Sequence, residues 1–259
     1  MNAVHPWALA ELTAAARDAE SLRPDAAFRD EFASLFVTAE SKVRLARLGG
    51  DALVKTLGAR TRWFDACLEP WLGAGSAVVS LGAGFDTRWA RHEACALWVE
   101  VDLPEVLARK QAILGRRLPP DLKLCPGLAT PETVTRLSTL SSAHPTCWLL
   151  EGVITHLPPC HARRLLRCLG SKLRPDDLLL FDIPSAGTVR DVSRNPLSSE
   201  AARLGWVLQT GTDHPRCLAG QMARSEPRAI SEFLGEPWGS PAEVPVPGWL
   251  VSARQREFV

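Results

Sequence analysis

Three short segments of this 259-residue chain carry residues whose types and spacing could do chemistry. Val78-Val-Ser-Leu-Gly82-Ala83-Gly84 is an apolar run ending in a Gly-x-Gly turn. Such a turn lets the backbone double back and lets a ligand approach without meeting a Cβ. Thr87 stands where the third glycine of a dinucleotide fingerprint would fall, so the turn is less open to a pyrophosphate. Asp102 closes a second apolar run, where an acid can accept hydrogen bonds from ribose hydroxyls, with Leu103 beside it. Taken alone, Asp102 reads equally well as the N-cap of a following helix, but the glycine turn upstream favours the ribose reading. Glu100, on the same side of that strand, could cap the glycine turn. Glu151 follows a third apolar run and suits a ligand carrying an ammonium and a sulfonium. His156, just beyond, is either a structural histidine among apolar neighbours or a neutral imidazole able to take a proton from a phenol or hydroxyl.

The elements that must position these residues follow from periodicity. A helical pattern runs from about Trp7 to Leu72, broken near Arg23-Pro24-Asp25 and Gly49-Gly50. Its last helix, Ala52–Leu72 with Asp51 as N-cap, carries an apolar face of Leu53, Leu57, Phe64 and Leu68. Strands are predicted at Ser76–Leu81, Ala96–Val101, Leu122–Cys125, Thr146–Leu150 and Asp177–Asp182. Helices are predicted between them at Leu103–Leu114, Pro131–Leu140 and Pro158–Leu173. This alternation implies right-handed crossovers and a doubly wound, mostly parallel α/β sheet with a helical N-terminal extension. The tail is expected to hold helices near Pro196–Leu208 and Glu226–Phe233 and a last strand at Trp249–Ala253. The chain is read as one domain over 1–259: a helical preface (1–72), a cofactor-binding core (73–185), and substrate-side helices with closing strands (186–259).

Composition narrows the classes. A net charge of +1, with arginines scattered along the chain, gives no reason to expect nucleic acid or an acidic membrane surface as partner. The seven cysteines form no CxxC pair and no metal-ligand spacing, so they read as reduced thiols in a cytoplasmic setting with no metal. No basic leader and no membrane-spanning apolar stretch is evident. Tyrosine is absent, which removes one common proton-transfer side chain.

Ala59-Arg-Thr-Arg62-Trp-Phe-Asp65, Leu81-Gly-Ala-Gly-Phe-Asp-Thr-Arg88, Trp98-Val-Glu-Val-Asp102-Leu-Pro-Glu-Val-Leu-Ala-Arg-Lys110 and Leu150-Glu-Gly-Val-Ile-Thr-His-Leu157 together resemble the leucine carboxyl methyltransferase family. That family includes small-molecule O-methyltransferases of polyketide and other secondary metabolism. The resemblance implies a class I (Rossmann-like) methyltransferase using S-adenosylmethionine. It further implies that Arg62 pairs with the cofactor carboxylate, although a bare sequence reads Arg62 as an exposed helix residue. Gly82, Ala83 and Gly84 would line the methionine moiety, Asp102 would hold both ribose hydroxyls with Leu103 also at the cofactor, and Glu151 would sit near the ammonium and sulfonium. Asp65, Asp86, Thr87, Arg88 and Lys110 are read as bracing the fold. Gly127-Leu128 stands where the family carries Asp-Leu, so adenine would rest on backbone groups and apolar packing. Trp63, Arg190, Trp206, His214 and Trp238 are candidates for the acceptor pocket. The acceptor is expected to be a small-molecule carboxylate or phenol. A protein C-terminal carboxylate, an NAD-dependent oxidoreductase and a catalytically silent cofactor binder remain alternatives, and the oligomeric state is not legible.

Overall fold

The computed structural model describes residues 5–92, 95–190, 202, 207–215, 224–233 and 248–255. Its centre is a seven-stranded sheet in the order β3-β2-β1-β4-β5-β7-β6. The strands are β1 (Ala77–Leu81), β2 (Leu97–Asp102), β3 (Leu122–Pro126), β4 (Thr146–Leu150), β5 (Leu178–Pro184), β6 (Arg224–Ala229) and β7 (Gly248–Arg254). The first five pair in parallel, and β7 pairs antiparallel with both β5 and β6. The predicted doubly wound sheet is therefore present. Strand order reverses beside β1, between β2 and β4, which opens a crevice at the carboxyl ends there.

Both faces of the central strands are covered, which explains their unbroken apolar sequences. On one face Ala77, Val79, Leu81, Leu179 and Phe181 pack beneath α5 (Pro131–Leu140) and α6 (Pro159–Lys172). On the other, Val78, Leu178 and Leu180 meet Trp63, Phe64 and Leu68 of α3 (Asp51–Leu68). The preface continues with α1 (Ala8–Ser21) and α2 (Ala39–Arg47), which share a separate apolar cluster with α3 through Leu12, Leu45, Leu53 and Leu57. Residue α4 boundaries are Pro104–Leu114, and α7 is the short helix Ala186–Arg190.

Two expectations change. α3 stops at Leu68, short of Leu72, because Pro70 lacks the N–H that would continue the ladder; a 3-10 turn follows over Glu69–Trp71. Its N-cap is Gly50, and Asp51 instead pairs with Arg23 and Lys55. The segment expected as a helix near Glu226–Phe233 is the edge strand β6 followed by a 3-10 turn, Ile230–Phe233. Pro227 in its middle is tolerated at an edge, where a strand can spare an N–H on its open side. The strand expected at Trp249–Ala253 is β7. Most of the helix expected over Pro196–Leu208 lies outside the described residues, and Val207 and Leu208 are not helical.

The glycine turn after β1 is anchored across the crevice: the N–H groups of Gly82 and Ala83 both donate to Val101 O, at 2.7 and 3.0 Å. Gly82 has φ +71°, and a Cβ there would lie 2.5 Å from Val153 Cγ2. Gly82→Ala therefore combines left-handed strain with a steric conflict and should cost about 2 kcal/mol or more of stability, read by urea unfolding. A loss within experimental error would mean that Val153 yields freely.

Candidate functional site

A cavity of about 300 Å³ opens at the carboxyl edge of the sheet. Its wall follows the strands in order: Gly127 and Leu128 after β3, Asp102 and Leu103 at β2, Gly82 to Gly84 after β1, Glu151 to Val153 after β4, and Asp182 and Pro184 on β5. α1 lies across it, contributing Leu9, Ala10, Thr13 and Arg17. A Cβ on Gly84 would approach Ala10 Cβ to 3.3 Å, so a bare turn is what lets α1 sit this close.

Asp102 ties turn and strand together. Its Oδ2 accepts from Gly84 N at 2.6 Å and its Oδ1 from Leu103 N at 2.7 Å. It does not cap α4, whose N-cap is Leu103. Burial raises the Asp102 carboxyl above its ordinary value, against the pull of those two N–H groups. Each oxygen keeps a further acceptor site. Glu100, expected to cap the glycine turn, turns instead to Lys110 Nζ at 2.5 Å, and Lys110 also donates to Asp86 O. Both side chains are fully buried, which is why they must find each other.

Arg88 is the hub behind the wall. Only 1% exposed, it donates to Asp65 at 2.8 Å, to Asp86 at 2.6 Å and to Glu151 at 2.6 Å. It thereby joins α3, the turn after β1 and the end of β4. Asp65, Asp86, Thr87, Arg88 and Lys110 do brace the fold, although Asp86 also reaches the cavity. Thr87 donates to Asp30 at 2.6 Å, and Arg17 bridges Asp30 to Phe85 O, at 2.9 and 2.7 Å.

Arg62 is the clearest correction. It is exposed and does not line the cavity; Arg60 does. Two residues along a helix is a rotation of about 200°, so the two arginines face opposite ways. The signal was present, since Arg60 lies three residues after Leu57 and four before Phe64, on the buried face. Arg60 donates to Glu151 Oε1 at 3.0 Å and to Asp182 Oδ2 at 3.2 Å. Arg17 and Asp182 were not singled out by sequence. Arg17 had only its place on a helix, while Asp182 ends β5 as Glu151 follows β4.

The two carboxylates on Arg60 differ. Burial lifts both, but Arg88 and Arg60 outweigh it at Glu151 and hold that group below the ordinary range. At Asp182 burial prevails over Arg60 and the Gly152 N–H, which donates to Oδ1 at 2.6 Å, and the carboxyl stays raised. His156, in the 3-10 turn Ile154–His156, lines the same cavity. Burial lowers it to about 4, with the Val207 backbone hydrogen bond raising and Arg60 lowering, so its imidazole is neutral near pH 7. Leu128 presents an exposed apolar side chain to the cavity, while Gly127 N–H is spent on Asp102 O. Of the pocket candidates, Trp63 is buried against the sheet and does not reach the cavity. Arg190 and His214 are exposed away from it, and Trp206 and Trp238 lie outside the described residues.

Comparison with known proteins agrees with this geometry. The model of the family described as "Leucine carboxyl methyltransferase" matches residues 10–170. A Streptomyces coelicolor protein named as an S-adenosyl-L-methionine-dependent methyltransferase is 28% identical, over 96% of this chain and 95% of its own. A Frankia alni protein similarly named is 32% identical, over 92% and 91%. Among solved structures, a Thermobifida fusca protein titled as a methyltransferase shares the fold at TM-score 0.61 with 15% identity, covering 96% and 95%.

Two outcomes test the site. Arg60→Met leaves Glu151 and Asp182 short of a cation and should destabilise by about 3 kcal/mol, while Arg62→Met should stay within about 0.5 kcal/mol, both by urea unfolding. Equal effects would contradict the opposite orientations. Burial, opposed chiefly by Lys110, lifts Glu100 from 4.5 to about 7. Between those values the native state holds a proton that the unfolded chain has lost, so stability falls as pH rises through that window. Glu100→Gln should flatten the fall by up to about 1.4 kcal/mol per pH unit, measured by unfolding at pH 5, 6 and 7.

Proposed function

The chain belongs to the leucine carboxyl methyltransferase family and is an S-adenosylmethionine-dependent methyltransferase, and from that premise we propose that it methylates an oxygen of a small-molecule carboxylate or phenol, in secondary metabolism. The observation that carries the reading is the continuous wall from Gly127 to Asp182, with acids spaced along it and a bare glycine turn between them. The residues fit the cofactor. Asp102, with acceptor sites left on both oxygens, would receive the ribose hydroxyls. Gly82, Ala83 and Gly84 would line the methionine moiety, and Leu103, Gly127 and Leu128 would hold adenine by apolar contact. Glu151, kept ionised by two arginines, would face the ammonium and sulfonium. Arg60 and Arg17, rather than Arg62, are the guanidinium groups that line this wall.

Bound S-adenosylmethionine supplies an electrophilic methyl group on a cationic sulfur. The protein's own task is to hold an acceptor oxygen in line with it, and positioning of this kind can supply a large part of the rate. α1 across the crevice and Arg88 behind it make the wall rigid. A carboxylate acceptor is already ionised near neutral pH and needs orientation alone; a phenol needs somewhere for its proton. His156 faces the cavity as a neutral imidazole, though burial makes it a weaker base than usual.

S-adenosylhomocysteine, but not NADH, should raise the melting temperature, and Asp102→Ala should weaken its binding by about tenfold or more in calorimetry. Labelled methyl transfer to small phenols or acids should follow. Transfer confined to the terminal carboxylate of an intact protein would overturn the small-molecule reading.

A further inference from the structure

The order of the strands turns the cavity wall into a ruler. Neighbouring strands lie about 4.8 Å apart, so the path from β3 to β5 spans about 19 Å. The groups suited to adenosine and methionine occupy β3, β2 and β1 and reach Glu151 after β4. The β5 end remains for the acceptor. There Pro184 of β5, Leu208, which is held near Thr155 through Gln209, and Ile230 after β6 form an apolar wall. Among the described residues one ionisable carboxyl stands with them, Asp182.

Asp182 is buried, with a side chain only 10% exposed, yet it lines the cavity. It is held firmly: Oδ1 accepts from Gly152 N at 2.6 Å and Oδ2 from Arg60 Nη1 at 3.2 Å. Each oxygen keeps one acceptor site. Glu151, the other acid on Arg60, has less to offer. Its Oε2 takes Arg88 at 2.6 Å, and its Oε1 takes both Arg60 and Thr61, at 3.0 and 3.3 Å. The environments thus push the two carboxyls apart, Glu151 down and Asp182 up, the arrangement in which one acid stays a fixed charge and the other can exchange a proton.

Resting on the methyltransferase reading above, we propose that Asp182 is the general base for a neutral hydroxyl acceptor, a phenol or alcohol on an apolar body, rather than a partner for a carboxylate. The hydroxyl proton passes to Asp182, and the oxygen lone pair forms the new O–CH3 bond. The C–S bonding pair is left on sulfur, giving the neutral thioether, and Asp182 returns its proton to water. Charge balances: a carboxylate and a sulfonium become a carboxylic acid and a thioether. A carboxylate acceptor would instead place a second anion against Asp182. Arg60, the cation beside it, is already shared by two acids.

The test compares wild type with Asp182→Asn, whose side-chain oxygen can still accept from Gly152 N. S-adenosylhomocysteine binding by calorimetry should be unchanged within about threefold, which shows the variant folded. With phenols of ordinary acidity kcat should fall by about 10²–10⁴. With nitrophenols ionised at the assay pH the loss should shrink to about tenfold or less, a rescue that a structural role does not produce. A second readout needs no turnover. A nitrophenol bound to the S-adenosylhomocysteine complex should ionise at higher pH in wild type than in Asp182→Asn, read by visible absorbance, because the carboxylate opposes a second negative charge. Equal loss on ionised and un-ionised phenols, no difference between the absorbance titrations, or the same pattern in His156→Phe instead of Asp182→Asn would overturn the assignment. Transfer to carboxylates alone would also overturn it, leaving the O-methyltransferase reading intact. Transfer to no small molecule would sink both.

Discussion

Arg88 is the constraint on which the rest of the site depends. One buried guanidinium serves Asp65 on α3, Asp86 in the turn after β1, and Glu151 after β4. A cation so buried is stable only with several anions around it, and those anions must hold their places for the same reason. Arg88 therefore converts three separately encoded segments into one rigid surface. Arg60 repeats the device one step along the sheet, joining Glu151 to Asp182. Glu151 belongs to both sets, which is why it is the most strongly held acid on the wall.

The outcome is a graded crevice. Toward β3 and β2 the wall offers an apolar side chain at Leu128 and a carboxylate bonded to a glycine N–H. Toward β5 it offers paired charge at the rim of an apolar recess. No helix among the described residues is long and apolar enough to cross a membrane. Behind the glycine turn, Lys110, itself paired with Glu100, donates to Asp86 O, so the turn is fixed on its buried side by that lysine and on its open side by Asp102.

The central strands were legible because a buried parallel sheet leaves runs such as Ala77–Leu81 and Thr146–Leu150 with little else to be. The glycine turn, Asp102 and Glu151 were legible too, since strand ends are short and their offsets nearly invariant. Arg62 lies off the cavity because of helical rotation rather than residue type. Arg60 and Arg62 are alike in type and differ in helical face, and Leu57 and Phe64 mark the buried face for Arg60. β6 was misread because Arg224–Ala229 has no apolar alternation; it is a strand by virtue of its partner β7. Glu100 turned from the glycine turn to Lys110 of α4, a choice made by their shared burial and invisible in spacing.

The cavity wall draws on Leu9 of α1, on strand ends through the middle of the chain, and on Ile230 beyond β6. Contacts so distant in sequence are costly to form, because each requires a long loop to close before it returns any stabilisation. Competence to bind thus requires distant stretches of the chain to be in place together, and a bound ligand would report on completed folding as much as on the chemistry of the crevice.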